Sequence, residues 1–159
     1  GPVEVTAPTA PVLAAPAATS VSLVGCAVRI YANGSLTPTS TITLTQTVAA
    51  RDVLVVCNSS ASAPVLAQCD VATGSVNWNG DDAVELFCSG VSVDNLGQIG
   101  VDPGLEWGAG LTSTADNTLR RPCTITSGDV VGDDAFDPAT EWDGLAGDIF
   151  DNLGSYHCP

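Results

Sequence analysis

Carboxylates are the most numerous chemically active side chains in this 159-residue chain, which has 18 Asp and Glu residues against four Arg, no Lys and one His. Many of them, such as Asp81-Asp82 and Asp133-Asp134, crowd segments whose composition is typical of loops. Calcium prefers oxygen ligands of this kind. No run follows the D-x-D-x-D-G pattern with a glutamate at the twelfth place. We therefore expect solvated acidic loops, with calcium as the weaker alternative.

No catalytic constellation is predicted. Glu85, Glu106 and Glu141 could serve a glycosidase only as a pair across a cleft, but Glu85 falls in an alternating strand and the chain lacks a large cleft-forming body. The one histidine, His157, follows Tyr156, and no G-x-S-x-G motif supplies a nucleophile for a triad. The sequence therefore predicts a protein that is not an enzyme and needs no cofactor.

Six cysteines are even in number and widely spaced, which suits three disulfides rather than a zinc site. Disulfides form in oxidising compartments, so we expect an extracellular protein. The predicted pairs are Cys57–Cys69 around a short excursion, Cys123–Cys158 at the irregular C-terminal segment and, as the remaining pair, Cys26–Cys88 between two strands.

The formal net charge of -14 excludes several classes of partner. Such a surface repels phosphate backbones and anionic membranes, so we predict no nucleic-acid partner. No stretch approaches the ~20 apolar residues of a membrane span, so we predict no membrane insertion. Cations, neutral sugars and protein surfaces remain. No signal peptide is visible, so the chain is expected to be already processed, with Gly1-Pro2 either native or a scar of tag removal.

From residue 21 the pattern is that of short strands separated by turns. Apolar and polar residues alternate over 41–45, a continuous apolar run at 53–57 fits a central strand, and 83–88 with 91–94 reads as a hairpin. Residues 118–121 and 123–126 are predicted as a late strand pair, and the rest as loops with aromatic anchors. The expected fold is an all-β sandwich with disulfides and long acidic loops.

Some polar and aromatic residues have two interpretations each. Trp78, Trp107 and Trp142 are expected to be core or loop anchors, the alternative being a sugar-stacking surface. Asn33 and Asn58 start N-x-S triplets and are candidate N-glycosylation sites. The Thr-rich stretches at 6–9 and 37–47 are candidates for O-glycosylation. Arg120 and Arg121 are expected to pair with the acidic loops around 133–143.

A set of segments in residues 21–158 resembles the secreted bacterial branch of the lamin-tail domain family. The resemblance implies an immunoglobulin-like sandwich on secreted proteins, often beside nuclease or phosphatase domains, and brings no catalytic residues. The matching segments are NGDDAVEL at 79–86, GQIGVDPG at 97–104 with Glu106-Trp107, STADNTLRR at 113–121, DAFDP at 134–138, Glu141-Trp142 and DNLGS at 151–155.

The chain departs from that family at its start, where a Pro/Ala/Thr tail over residues 1–20 replaces the opening strand of the domain at 21–159. A sandwich without this strand has an open edge that is prone to association. We expect the tail to complete the sandwich of the next copy, as a donor strand with Val3, Val5 and Ala7 facing inward. Fold-back of the tail in cis is the rival arrangement.

Two functions therefore remain open. The first is a non-catalytic subunit of an extracellular fibre made of copies of this chain, joined head to tail. The second is an accessory or adhesive module of a larger secreted enzyme, with the tail as a linker.

Overall fold

The computed structural model of the chain describes the backbone of residues 3–5, together with residues 19–156 and 158. The regular structure of this part is thirteen short strands, one helical turn, α1, and two 3-10 turns at Ala32–Gly34 and Pro138–Thr140. The strands are β1 Val3–Val5, β2 Val21–Ser22, β3 Cys26–Tyr31, β4 Ser40–Leu44, β5 Thr47–Val48, β6 Leu54–Cys57, β7 Val71–Ala72, β8 Ala83–Cys88, β9 Val91–Leu96, β10 Gly108–Ala109, β11 Thr112–Ser113, β12 Asn117–Arg120 and β13 Asp143–Ala146, and α1 is Ala63–Leu66.

The largest sheet has four antiparallel strands in the order β4-β3-β8-β9. Buried apolar and more exposed side chains alternate along its strands, so one face of the sheet is apolar and the other is more polar. On β3, Val28 and Ile30 are buried in the core, whereas Arg29 between them lies on the opposite face. A bulge between Leu86 and Phe87 interrupts the pairing of β8 with β9.

A second, three-stranded sheet in the order β1-β6-β7 packs its central strand on the same core. Leu54 and Val56 of β6 join Val28, Ile30 and Leu86 of the larger sheet in one buried cluster. Close packing of apolar side chains between two sheets is what holds a β-sandwich together. The predicted all-β sandwich is therefore confirmed. No helix in the described part of the chain is long and apolar enough to span a membrane.

Two-stranded ladders complete the described fold: β2 with β5, β10 with β11, and β12 with β13. The predicted pair of 118–121 with 123–126 is wrong, because β12 pairs with β13 at 143–146 instead. Pro122 offers no backbone N–H for a ladder, and residues 123–124 turn toward the Cys123–Cys158 bridge. The prediction of loops throughout 127–159 missed β13, because its sequence DGLA has little β propensity.

All three disulfides join the predicted pairs. Cys26 and Cys88 stand directly opposite each other on β3 and β8, with 4.0 Å between their Cα atoms. Cys57 and Cys69 close the excursion that contains α1. Such bridges stabilise a fold by about 2–4 kcal/mol each, chiefly by restricting the unfolded chain.

Candidate assembly site

The strand β6 of the smaller sheet is buried along its whole length. Val55, Val56 and Cys57 have no exposed surface, and Leu54 is 4% exposed. Unpaired backbone N–H and C=O groups are costly at such a depth, since water cannot reach them. Both edges of β6 must therefore be paired.

One edge of β6 is paired by the segment at β7. The Val55 N–H donates to the Asp70 carboxylate at 2.7 Å, and the Asp70 N–H donates to the Val55 carbonyl at 2.9 Å. Two residues on, the Thr73 N–H donates to the Cys57 carbonyl at 3.0 Å. The backbone groups of Val55 and Cys57 thus point toward β7.

The other edge of β6 is paired by β1 from the N-terminal tail. Backbone groups alternate in direction along a strand, so those of Leu54 and Val56 point away from β7 and toward β1. The antiparallel register sets Val3 opposite Val56 and Val5 opposite Leu54. These two positions are the hydrogen-bonded pairs of the ladder, and the Glu4 backbone groups face outward.

The tail prediction has a mixed outcome. A strand forms at Val3–Val5, where the sequence predicted one, and it occupies the edge that would otherwise be open. Its partner in this single chain is β6 of the same chain, which is the rival arrangement in cis. Ala7 and the inward direction of the Val3 and Val5 side chains lie outside the described residues.

Asn58, directly after β6, holds the adjoining loop in place. Its Nδ2 donates to the Val76 carbonyl at 2.6 Å, and its Oδ1 accepts from the Ser60 N–H at 2.7 Å. Both polar groups of the side-chain amide at this predicted glycosylation site are therefore hydrogen-bonded within the protein. The other candidate, Asn33, has an exposed side chain at a left-handed turn with φ of 50°.

A second cluster, the arginine clasp, fastens the C-terminal segment to β9. Arg121 bonds the Asp94 carboxylate with both terminal nitrogens, donates to Glu141 at 3.1 Å, and lies over the Trp142 ring. Burial lowers the pKa of Arg121, but Asp94 and Glu141 outweigh it and leave the pKa above its ordinary value. Nothing in the sequence indicated Asp94, because its partner lies 27 positions away.

The acidic-loop prediction for the two arginines is only partly right. Glu141 lies within the predicted range of 133–143, but the main partner of Arg121 is Asp94 on β9. Arg120 pairs with Asp151, outside that range. The clasp therefore joins the larger sheet to the C-terminal segment rather than only tying loops to each other.

Glu85 is a buried structural carboxylate. It accepts a 2.6 Å hydrogen bond from the Tyr31 hydroxyl and lies 3.8 Å from Arg29, which stacks over Phe87. Burial, followed by the hydrogen bond and the charge of Glu85, raises the pKa of Tyr31 above its ordinary value. This carboxylate and Glu141 of the clasp each have a separate ion-pair partner.

A shallow cavity of about 470 Å³ collects acidic side chains, among them Asp81, Glu106 and Asp116. Beside it, Asp82 is 8% exposed and accepts a hydrogen bond from the Asn33 N–H at 3.0 Å. Burial raises the pKa of Asp82 despite this bond. No group of three or more His, Cys, Asp or Glu able to hold a metal occurs among the described residues. Solvated acidic loops stay the prediction, with calcium as the weaker alternative.

The three tryptophans are anchors rather than an exposed sugar-binding face. Trp107 is 7% exposed and meets Phe136 edge to face, with ring centroids 6.0 Å apart. Trp78 packs on the main core, and Trp142 lies under the Arg121 guanidinium. The anchor interpretation of these residues is therefore confirmed.

Comparisons with family models, with curated proteins and with solved structures find no match to this chain.

Proposed function

We propose that this chain is a non-catalytic structural subunit of an extracellular fibre, in which β1 of one copy pairs with β6 of the next. The observation that carries the proposal is the ladder of β1 on β6, in which β1 stands opposite the buried Leu54 and Val56. Strand addition of this kind uses main-chain hydrogen bonds, and the same bonds form whether the strand comes from the same copy or from another.

The length of the tail permits the exchange. Fifteen residues, 6–20, separate β1 from β2, and a chain of that length reaches at most about 50 Å. A domain of this size has a diameter of roughly 37 Å. The strand can therefore leave its own domain and reach β6 of a neighbour in contact with it.

The tail composition bears on the competition between cis and trans pairing. A short linker gives an intramolecular strand an effective concentration of about a millimolar, which favours cis pairing in dilute solution. Pro8, Pro11 and Pro16 restrict the backbone of the linker and oppose a tight fold-back. We therefore expect fibres to form at high local concentration, and an isolated chain to pair in cis.

Two further features support an extracellular setting. Three disulfides within one small domain are typical of oxidising compartments. The lamin-tail resemblance, which we retain as part of the proposal, implies secreted relatives. Glycans on the exposed polar surface are compatible with the disulfides and with the family resemblance.

A second candidate function follows from the cis pairing itself. If β1 stays on its own β6, the chain is a closed monomer suited to be an accessory or adhesive module of a larger secreted protein. The tail would then be the segment that passes from that module to its neighbour.

A mixing experiment separates the two functions. Full-length chain and a variant lacking residues 1–8 are unfolded together in denaturant with disulfides intact, refolded at high concentration and imaged by electron microscopy. The shortened chain accepts a donor strand and supplies none, so it should terminate growing fibres. Fibre length should fall steeply as its fraction rises.

The control uses the shortened chain with Leu54→Pro, which removes a backbone donor at the acceptor edge. This chain should leave fibre length unchanged. If the full-length chain refolds only to monomers at every concentration, the fibre proposal fails and the monomeric module stands.

A further inference from the structure

The outer edge of β4 is unpaired in the described part of the chain. β4 forms one side of the larger sheet, in the order β4-β3-β8-β9, and no described strand pairs with its other side. Ile42 and Leu44 point into the core, whereas Thr41 and Thr43 are exposed. An uncovered edge strand is a template for pairing with another chain.

The direction of the β4 backbone follows from its neighbour. The Ile30 carbonyl accepts from the Thr39 N–H, and on the opposite side of β3 the Gly25 carbonyl accepts from the Ser89 N–H. Even-numbered residues of β3 thus face β4, and their opposite partners are Ser40, Ile42 and Leu44. The N–H and C=O groups of Thr41 and Thr43 consequently point outward.

The opposite edge of the same sheet is protected. β9 carries a bulge in its pairing with β8 and the charged Asp94. The segment around Asp129 covers it, with the Asp129 N–H bonded to Asp94 at 2.8 Å and the Asn95 amide bonded to the Asp129 carbonyl. Bulges, charges and covering loops are the usual protection of edge strands. Within residues 19–156, β4 has none of these features.

Charge also singles out the β4 edge. Residues 31–50 contain no Asp, Glu, Lys or Arg, although the chain as a whole has a net charge of -14. Two copies repel each other wherever acidic surfaces meet. This uncharged stretch is a surface on which a second copy can approach without bringing carboxylates together.

We propose that β4 is a second self-association edge, which pairs antiparallel with β4 of another copy around Ile42. Thr41 of one chain then stands opposite Thr43 of the other, and the two chains exchange four backbone hydrogen bonds. The contact is isologous and closed, so it joins two chains and stops. A single contact of this kind buries a small area and is weak. Many such contacts repeated along two fibres would hold the fibres side by side through avidity.

Three variants of the full-length chain test this edge. Thr43→Pro removes one outward N–H per chain and is tolerated on an edge strand. The double variant Thr41→Glu with Thr43→Glu sets like charges opposite each other across the contact. The control, Thr124→Glu with Thr126→Glu, makes the same charge change with the same spacing at exposed positions elsewhere.

The readouts are sedimentation equilibrium over a concentration series and, where fibres form, their width by electron microscopy. Wild type and the control should reach dimer mass or paired fibres. Both β4 variants should remain monomers or single fibres, with the dissociation constant raised at least tenfold. Hydrogen exchange should show amide protection of Thr41 and Thr43 that increases with concentration in wild type and in the control, but not in the Thr41→Glu with Thr43→Glu variant.

Failure of this proposal is distinct from failure of tail exchange. If tail exchange is wrong, β4 pairing still gives a concentration-dependent dimer that deletion of residues 1–8 leaves intact. A wild-type chain that stays monomeric with unprotected Thr41 and Thr43 amides would overturn the β4 proposal, as would equal loss of association in the control. Hexose found on residues 37–47 of the native protein would overturn it too, since a glycan would cover the edge.

Discussion

Asp82 shows at the scale of one residue how this acidic chain tolerates burial. Its carboxylate is 8% exposed beside Asp81, and burial raises its pKa above the ordinary value. A raised carboxyl pKa in the folded state stabilises the fold at low pH, and this stabilisation is lost as pH rises through the folded pKa. At neutral pH the ionised Asp82 therefore opposes folding.

We expect Asp82→Asn to raise the melting temperature at pH 7 by about 2–4 °C, the change that ~1 kcal/mol produces in a domain of this size. The Asn oxygen can still accept from the Asn33 N–H. The gain should shrink as the pH falls below the folded pKa of Asp82, which calorimetry over a pH series would measure. Asp133→Asn, at an exposed position, removes the same charge and should not reproduce the gain.

The two N-x-S triplets differ in what their asparagine amides already bind. The Asn33 side chain is exposed, whereas the Asn58 amide donates to Val76 and accepts from Ser60. In an N-glycosylating host we expect glycan on Asn33 and none on Asn58, as read by glycopeptide mass spectrometry. Occupied Asn58 in folded protein would contradict this assignment.

At the scale of elements, the sequence predicted strands wherever the alternation of apolar residues was strong. Strand β4, the buried run of β6 and the hairpin of β8 with β9 follow directly from that pattern. Strand β13 did not, because its sequence DGLA has little β propensity and forms only against β12.

The candidate assembly site was predictable only in part, because its strand pairing depends on residues that are distant in sequence. The alternation of Val3 and Val5 with polar residues predicts a strand. The strand with which it pairs depends on which edge of β6 is left open. Asp70 closes one edge through a side chain 15 positions from Val55. Local pattern carries no information on such distant pairing.

The β1 ladder gives a prediction with a matched control. Val5→Pro removes an N–H that faces β6, whereas Glu4→Pro removes one that faces outward. We expect Val5→Pro to abolish fibres and, in dilute solution, to lower the unfolding free energy by about 1–3 kcal/mol. Glu4→Pro should have a much smaller effect on both. Electron microscopy and urea unfolding are the measurements, and equal effects of the two variants would refute the ladder.

The arginine clasp gives a second prediction at this scale. Arg121→Ala leaves Asp94 and Glu141 without their partner in a half-buried site, so we expect a loss of about 2 kcal/mol in urea unfolding. Arg120→Ala breaks the more exposed pair with Asp151 and should cost much less, because water and salt screen an ion pair at the surface. The reverse order of the two losses would show that the clasp does not hold the C-terminal segment.

At the scale of the whole molecule, a net charge of -14 opposes every contact between copies. Salt screens this repulsion over about 8–10 Å at physiological ionic strength. We therefore expect fibre assembly to accelerate as sodium chloride is raised from low to physiological concentration, as followed by light scattering. Slower assembly at higher salt would mean that attraction between opposite charges, rather than backbone pairing, joins the subunits.

The connection of the tail to its acceptor strand has a mechanical consequence. In a fibre joined through β1 and β6, tension enters a subunit at residue 21 and leaves it at 54–57, so the load passes through β2 to β6 alone. Residues 89–156 lie beside this path, joined to it through the pairing of β9 with β8 and of β8 with β3, which the Cys26–Cys88 bridge reinforces. That half of the molecule is consequently free to vary its loops without weakening the filament under strain.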